Sequence, residues 1–163
     1  ISHDGQSLIF YSNQCGNFDI WRVNIDGSER EIITDWPSNE IYPILKPNEN
    51  TIAFVSDKNG NLDLWEMNLD NKNTYPLIDE NSMEGWCSWS QDGKWLYYVS
   101  NKDGKFNIWK MSSESGVKEQ LTNYKSSDYG LPNEILYTKF SVSKNSLILP
   151  LEKRTGDIYI LSL

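Results

Sequence analysis

Ser56-Asp57-Lys58-Asn59-Gly60-Asn61-Leu62-Asp63-Leu64-Trp65 is the stretch that decides how this chain reads. Asp and Asn residues beside a glycine favour a tight turn. Leu62 and Leu64, alternating with Asp63 and Trp65, then give the period of two expected of a strand. The stretch stands again 44 residues upstream as Ser12-Asn13-Gln14-Cys15-Gly16-Asn17-Phe18-Asp19-Ile20-Trp21. It returns 44 residues downstream as Ser100-Asn101-Lys102-Asp103-Gly104-Lys105-Phe106-Asn107-Ile108-Trp109. Gly16, Gly60 and Gly104 keep this step, as do Trp21, Trp65 and Trp109, so these six are structural repeat positions.

Outward from the stretch, each unit supplies four short strand-like pieces. In the third repeat they are Trp86-Cys87-Ser88-Trp89, then Trp95 to Ser100 after the turn Ser90-Gln91-Asp92-Gly93-Lys94, then Asn107 to Met111, then Lys118 to Thr122. The second repeat runs from Ile41 to Ile78, where Pro76 cannot donate to a ladder and so marks an outer edge. The first repeat opens at Ile1 without its first strand. The fourth is looser: the connection after Thr122 is longer and Ser143-Lys144 replaces the Asp-Gly turn. No helical stripe of useful length appears, which excludes a helical solenoid.

Four short strands per 44 residues, with turn signals between them, are the signature of a β-propeller blade. One such sheet cannot bury both faces alone, and the recurring aromatic positions supply the seams between stacked blades. The expected fold is therefore all-β, a β-propeller of four-stranded antiparallel blades. The expected division over residues 1–163 is a partial blade at 1–35, blades at 41–79 and 85–123, and a partial blade at 135–163. That is about 3.5 blades, read as the C-terminal part of a ring of six or seven, with a four-bladed ring as the alternative.

Composition narrows the function classes. The chain carries 15 Lys and Arg against 23 Asp and Glu, a net charge of −8, which argues against a nucleic-acid partner because a phosphate backbone needs a basic stripe. No apolar run approaches the length of a membrane helix, so no membrane insertion is expected in this chain. Cys15 and Cys87 occupy different repeat positions, make no framework and form no metal pattern. The single histidine, His3, falls in a turn and cannot found a catalytic triad or a multi-histidine metal centre. Asp57, Asn59, Asn61 and Asp63 sit at alternate positions as in a calcium loop, but position 12 is Asn68 rather than a bidentate Glu. An Asx turn explains them better. No catalytic residue, metal site or cofactor is expected.

The repeat resembles the TolB-type, WD-repeat-like β-propeller family, whose units read roughly S-P-D-G-K, a strand ending in Ser, a D-x-x-G hairpin, D-I-Y/W and a closing L-T. The matching residues are Ser90-Gln91-Asp92-Gly93-Lys94, Ser100, Asp103-Gly104, Asn107-Ile108-Trp109 and Leu121-Thr122. His3-Asp4-Gly5 with Asp19-Ile20-Trp21, and Asp57 to Trp65, repeat the pattern with losses. Lys46-Pro47-Asn48-Glu49-Asn50 departs from it by lacking the turn glycine. The resemblance implies an extracytoplasmic location, periplasmic or secreted.

Function is sought in the aperiodic loops, because irregular loops on a rigid scaffold are where binding usually sits. The connections 35–40, 79–84 and 123–134 carry an acidic excess and several aromatics, and the binding candidates are Trp36, Glu40, Glu84, Trp86, Tyr129 and Glu134. Three readings compete. The first is a non-catalytic scaffold that takes a protein or peptide partner on this acidic, aromatic rim. The second is an accessory, gating propeller of a prolyl-oligopeptidase-like hydrolase, and the third a propeller lyase. Both enzyme readings require catalytic residues outside this chain, which has no G-x-S-x-G nucleophile turn.

Overall fold

The computed structural model describes residues 1–123, 140–143, 146–150 and 158–162. All its regular structure is strand. The first sheet orders β1 (Ser7–Ser12), β2 (Asp19–Asn24) and β3 (Glu31–Ile32). The second orders β4 (Glu40–Leu45), β5 (Thr51–Ser56), β6 (Asp63–Asn68) and β7 (Thr74–Ile78), with Pro76 on the outer edge strand. The third orders β8 (Glu84–Trp89), β9 (Trp95–Ser100), β10 (Asn107–Ser112) and β11 (Lys118–Gln120). The fourth orders β12 (Ser141–Val142), β13 (Ser146–Pro150) and β14 (Ile158–Ser162). Every pairing is antiparallel between sequence neighbours. This is the all-β, antiparallel blade architecture of a β-propeller. The inner strands β4 and β8 each shift register near their start, between Ile41 and Ile44 and between Glu84 and Cys87, one residue apart on the 44-residue step.

Local chemistry explains each repeat motif. In the S-x-D-G turns, Ser2 Oγ and Ser90 Oγ each donate to the carboxylate two residues on, at 2.6 Å. The same carboxylates accept from the backbone of Gln6 and Lys94, holding Asp4 and Asp92 below the usual carboxylate range. The departure at Lys46 to Asn50 follows a different turn geometry. There Pro47 fixes the first corner residue, Asn48 takes φ 62° at the second, and Glu49 N closes the turn on Lys46 O. The closing L-T motif has its own reason: Thr34 Oγ1 and Thr122 Oγ1 accept from the backbone N–H of Ile20 and Ile108, at 2.8 and 2.9 Å.

The middle hairpin recurs as a closed turn, with Gly16, Gly60 and Gly104 donating to the carbonyls of Asn13, Asp57 and Asn101. Gly60 has φ 100°, a region L side chains rarely adopt, while an added Cβ would meet nothing within 4 Å. Gly60→Ala should therefore cost only the backbone term, about 1 kcal/mol. The corresponding fall in Tm is about 3 °C, and an unchanged melting curve would contradict it.

The chain divides into two compact units, Ile1–Asp79 and Glu80–Leu163. In the first, β1–β3 pack on the β4–β7 sheet through Ile20 and Ile33 on one side and Ile52, Phe54, Trp65, Met67 and Leu69 on the other. Ile9, Trp36 and Leu45 pack against this seam. In the second, β8–β11 bury Cys87, Leu96, Tyr98, Val99 and Ile108, and Phe140 and Leu147 are buried as well.

Candidate functional site

The hairpins and the connections into the inner strands meet at one end of each unit. In the first unit Asn39 joins two hairpins. Its side-chain oxygen accepts from Phe18 N at 3.2 Å, while its N–H and its amide donate to Asp57 Oδ1 and Oδ2, both at 2.8 Å. Asn17 Nδ2 donates to the carbonyls of Trp36 and Ser38, and Glu40 N donates to Phe18 O at 2.7 Å. In the second unit Met83 N donates to Asn101 Oδ1 at 2.8 Å, repeating the clamp 44 residues on. The loops at this end are thus fastened to their neighbours by backbone-directed bonds.

The residues singled out by sequence fall in unlike environments. Trp36 is half-buried in the connection before β4, with ring centroids 6.0 Å from Phe54 and 6.1 Å from Trp65. Trp86 is half-buried in β8, and its Nε1 donates to Phe140 O at 3.2 Å. Tyr129 and Glu134 lie outside the described residues.

Glu40 and Glu84 require a correction. Both are fully buried as the first residues of β4 and β8, so neither carboxylate forms part of an exposed acidic rim. Each is wrapped by two serines. Ser38 and Ser56 donate to Glu40 Oε1 at 2.6 and 2.8 Å, and Ser82 and Ser100 do the same for Glu84 at the same distances. Burial pushes the Glu40 carboxyl above its ordinary value, and Asp19 adds like charge. Asp19, also buried, is raised for the same first reason. These are tie points holding the inner strand to its neighbour.

Other sequence candidates resolve similarly. Asp57 is engaged by Asn39, Asn59 donates to Asp79, and Asn61 donates to the buried Asp63, so the calcium-like spacing does not converge on one centre. Trp21 and Trp65 are buried at 8% and 6% exposure, as their recurrence in the repeat frame implies. Cys15 and Cys87 are free thiols, and burial raises the Cys87 thiol to about 12, making it inert. His3 lies exposed in its turn. Its Nε2 faces the carbonyls of Lys46 and Glu49 at 2.8 and 3.1 Å, so that nitrogen carries the proton. A cleft of about 290 Å³ at the opposite end of the first unit is lined by His3, Asp4, Arg22, Asn50, Leu45 and Leu69. Its charges are already committed, Arg22 to Glu31 at 3.1 Å and Asp4 to Ser2.

Sequence reasoning missed three groups at the loop end. Phe18 stands 37% exposed beside Tyr11, ring centroids 5.7 Å apart, and Tyr11 meets Tyr42 at 5.4 Å. Tyr42 holds φ 55° at the register shift of β4, a conformation uncommon for a bulky side chain. Lys58, at the hairpin tip, lays its Nζ 3.7 Å from the Trp36 ring centroid and 5.1 Å from that of Trp65. The only sequence signal for Lys58 was the repeat itself, which puts Lys102 at the same position.

The family model described as the TolB beta propeller domain matches residues 1–146. TolB from Acinetobacter baumannii superposes with a TM-score of 0.68 at 17% identity, covering 98% of this chain and 41% of that one. The putative TolB from Agrobacterium tumefaciens gives 0.73 at 16% identity, covering 98% and 62%. A puromycin-hydrolyzing peptidase of Mycobacterium tuberculosis gives 0.68 at 12% identity, covering 98% and 25%. This chain therefore spans less than two thirds of each of those chains. At these identities the likeness concerns the fold. No curated protein sequence matches the chain.

Proposed function

Because the chain belongs to the TolB beta propeller domain family, we propose that it is a non-catalytic scaffold that binds a protein or peptide partner on the loop end of its blades. The observation that carries this reading is the clamp at the loop end of the first unit through Asn39 and Asp57, which presents half-buried Trp36 and exposed Phe18, Asp35 and Asp79 on a fixed frame. A preorganised surface loses little freedom on binding, and half-buried aromatics are the usual anchors of an interface. Buried Glu40 and Glu84 belong to the frame, and the acidic contact falls to Asp35 and Asp79. The location consistent with the family is extracytoplasmic.

Reversing both exposed charges, Asp35→Lys with Asp79→Lys, should weaken capture of a partner at least about tenfold. Stability should stay within about 0.5 kcal/mol, as for most surface substitutions. Capture from an extract of the source organism, quantified beside the wild-type chain, reads this directly. Equal capture by both proteins would sink the assignment of the face.

A second reading is the accessory propeller of a prolyl-oligopeptidase-like hydrolase, or of a lyase, with the catalytic residues outside this chain. The superposition on a quarter of the puromycin-hydrolyzing peptidase favours it. Covalent labelling of the full-length protein by a serine-directed fluorophosphonate separates the two: labelling supports the hydrolase.

A further inference from the structure

Lys58 has a setting that its counterpart in the next repeat does not share. Lys102, 44 residues on, also approaches its repeat tryptophan, with Nζ 5.8 Å from the Trp109 ring, but is fixed by an ion pair to Glu80 at 2.6 Å. In the first repeat Arg30 takes over the role, 4.7 Å from Trp21, and is tethered to Gln14 Oε1 at 2.5 Å. The position of Glu80 is occupied 44 residues earlier by Trp36. Lys58 is therefore held by an indole where Lys102 is held by a carboxylate. Among the described residues no acidic group lies within ion-pair distance of Lys58.

The two rings that receive its ammonium meet at 67°, with centroids 6.1 Å apart, and Phe54 stands 6.0 Å from Trp36. Trp65 is 6% exposed and anchored in the seam, so the walls are fixed. Lys58 itself is exposed on a hairpin tip and carries a flexible stem. We propose that Trp36 and Trp65 form a cation-binding aromatic cage for a quaternary ammonium group, and that Lys58 is its exchangeable internal occupant.

Chemistry selects this ligand class over a plain amine. A primary ammonium such as that of Lys58 is strongly hydrated and gives up much of its water to enter an aromatic corner. A quaternary ammonium is weakly hydrated, spreads its charge over methyl groups and fits against ring faces, the usual contents of an aromatic cage. Exposed Asp35 and Asp79 at the same end of the unit favour approach of a cation. The inference rests on the partner-binding reading above only for the use made of the cage, not for its chemistry.

The test is titration of the full chain and its Lys58→Ala variant with tetramethylammonium, read by tryptophan fluorescence and by the indole N–H resonances of Trp36 and Trp65. The variant should bind about fivefold more tightly than wild type, because the internal competitor is gone. The uncharged isostere 3,3-dimethylbutan-1-ol should not bind either protein. Choline and a peptide bearing trimethyllysine form two further arms: tighter binding of the peptide assigns the cation to a macromolecular partner, equal binding to a free small molecule. Equal affinity of wild type and variant for tetramethylammonium, or equal binding of the isostere, overturns the cage. Loss of cation binding with partner capture intact removes the cage alone. Loss of the Asp35 and Asp79 effect with cation binding intact removes the scaffold reading instead.

Discussion

Trp65→Ala should destabilise the protein by about 4 kcal/mol, the range for truncating a buried aromatic side chain. Trp65 is 6% exposed in β6 and sits in the seam where Ile20 and Ile33 of the first sheet meet Phe54 and Met67 of the second. Removing it opens the joint between two sheets rather than a pocket within one, and the backbones on either side cannot collapse far without breaking ladders. Trp65→Phe separates packing from polarity. The indole Nε1 is buried and has no hydrogen-bond partner among the described residues, so losing it removes an unsatisfied donor. The phenylalanine variant should lose only about half as much stability, within about 2 kcal/mol. Urea unfolding of the three proteins reads the difference, and an alanine variant within about 1 kcal/mol of wild type would show that the seam does not hold the sheets together. Trp109 is the internal control: half-buried at the same repeat position, it should cost less on truncation than Trp65.

How far the sequence carries depends on the range of the interaction. Turns are local, and Ser90-Gln91-Asp92-Gly93-Lys94 states its own geometry because the side-chain bonds of Ser90 and Asp92 that close it lie within five residues. Recurrence then places Trp21, Trp65 and Trp109 in the frame, because a seam needs the same side chain at each step. The burial of Glu40 is of another kind. It depends on Ser56, 16 residues along the chain, folding its hydroxyl over the carboxylate across β4 and β5. Nothing in the local composition of 35–40 announces this, and a glutamate in an irregular acidic stretch reads as solvated. Yet the signal existed: Ser38, Glu40 and Ser56 recur as Ser82, Glu84 and Ser100 at the same 44-residue step. The periodicity that marks the tryptophans as structural marks these glutamates too. Lys58 is the converse case, a regular repeat position whose neighbour changed from Glu80 to Trp36. Its contact became legible only once the loop and the hairpin were seen side by side.

Glu40 gives the sharpest stability test. Glu40→Ala strands the hydroxyls of Ser38 and Ser56 and leaves a void at the start of β4, for a loss of about 3 kcal/mol. Glu40→Gln keeps an oxygen for those two donors and removes the ionisation. The native carboxyl titrates above its ordinary value because burial disfavours the charge, so the folded state retains a proton that the unfolded chain releases. The sign follows from proton counting. Between the unfolded and the raised native value the native state binds more protons, so the contribution of Glu40 is fully present below the unfolded value and is lost as pH rises through the native one. Exposed Asp4, Asp26 and Asp92, with lowered values, act in the opposite sense and lose stability as pH falls. The whole-protein curve mixes both, but the difference between Glu40→Gln and wild type isolates the buried group. Any fixed cost of the glutamine amide, whose nitrogen would take the place of an oxygen with no hydrogen-bond partner among the described residues, offsets that difference by a constant. Relative to wild type, the glutamine variant should therefore gain stability as pH rises from about 4 and level off once the native carboxyl has ionised. Thermal melts of both proteins across that range decide it. A difference that stays flat, or shrinks with rising pH, means the buried carboxylate is not the titrating group.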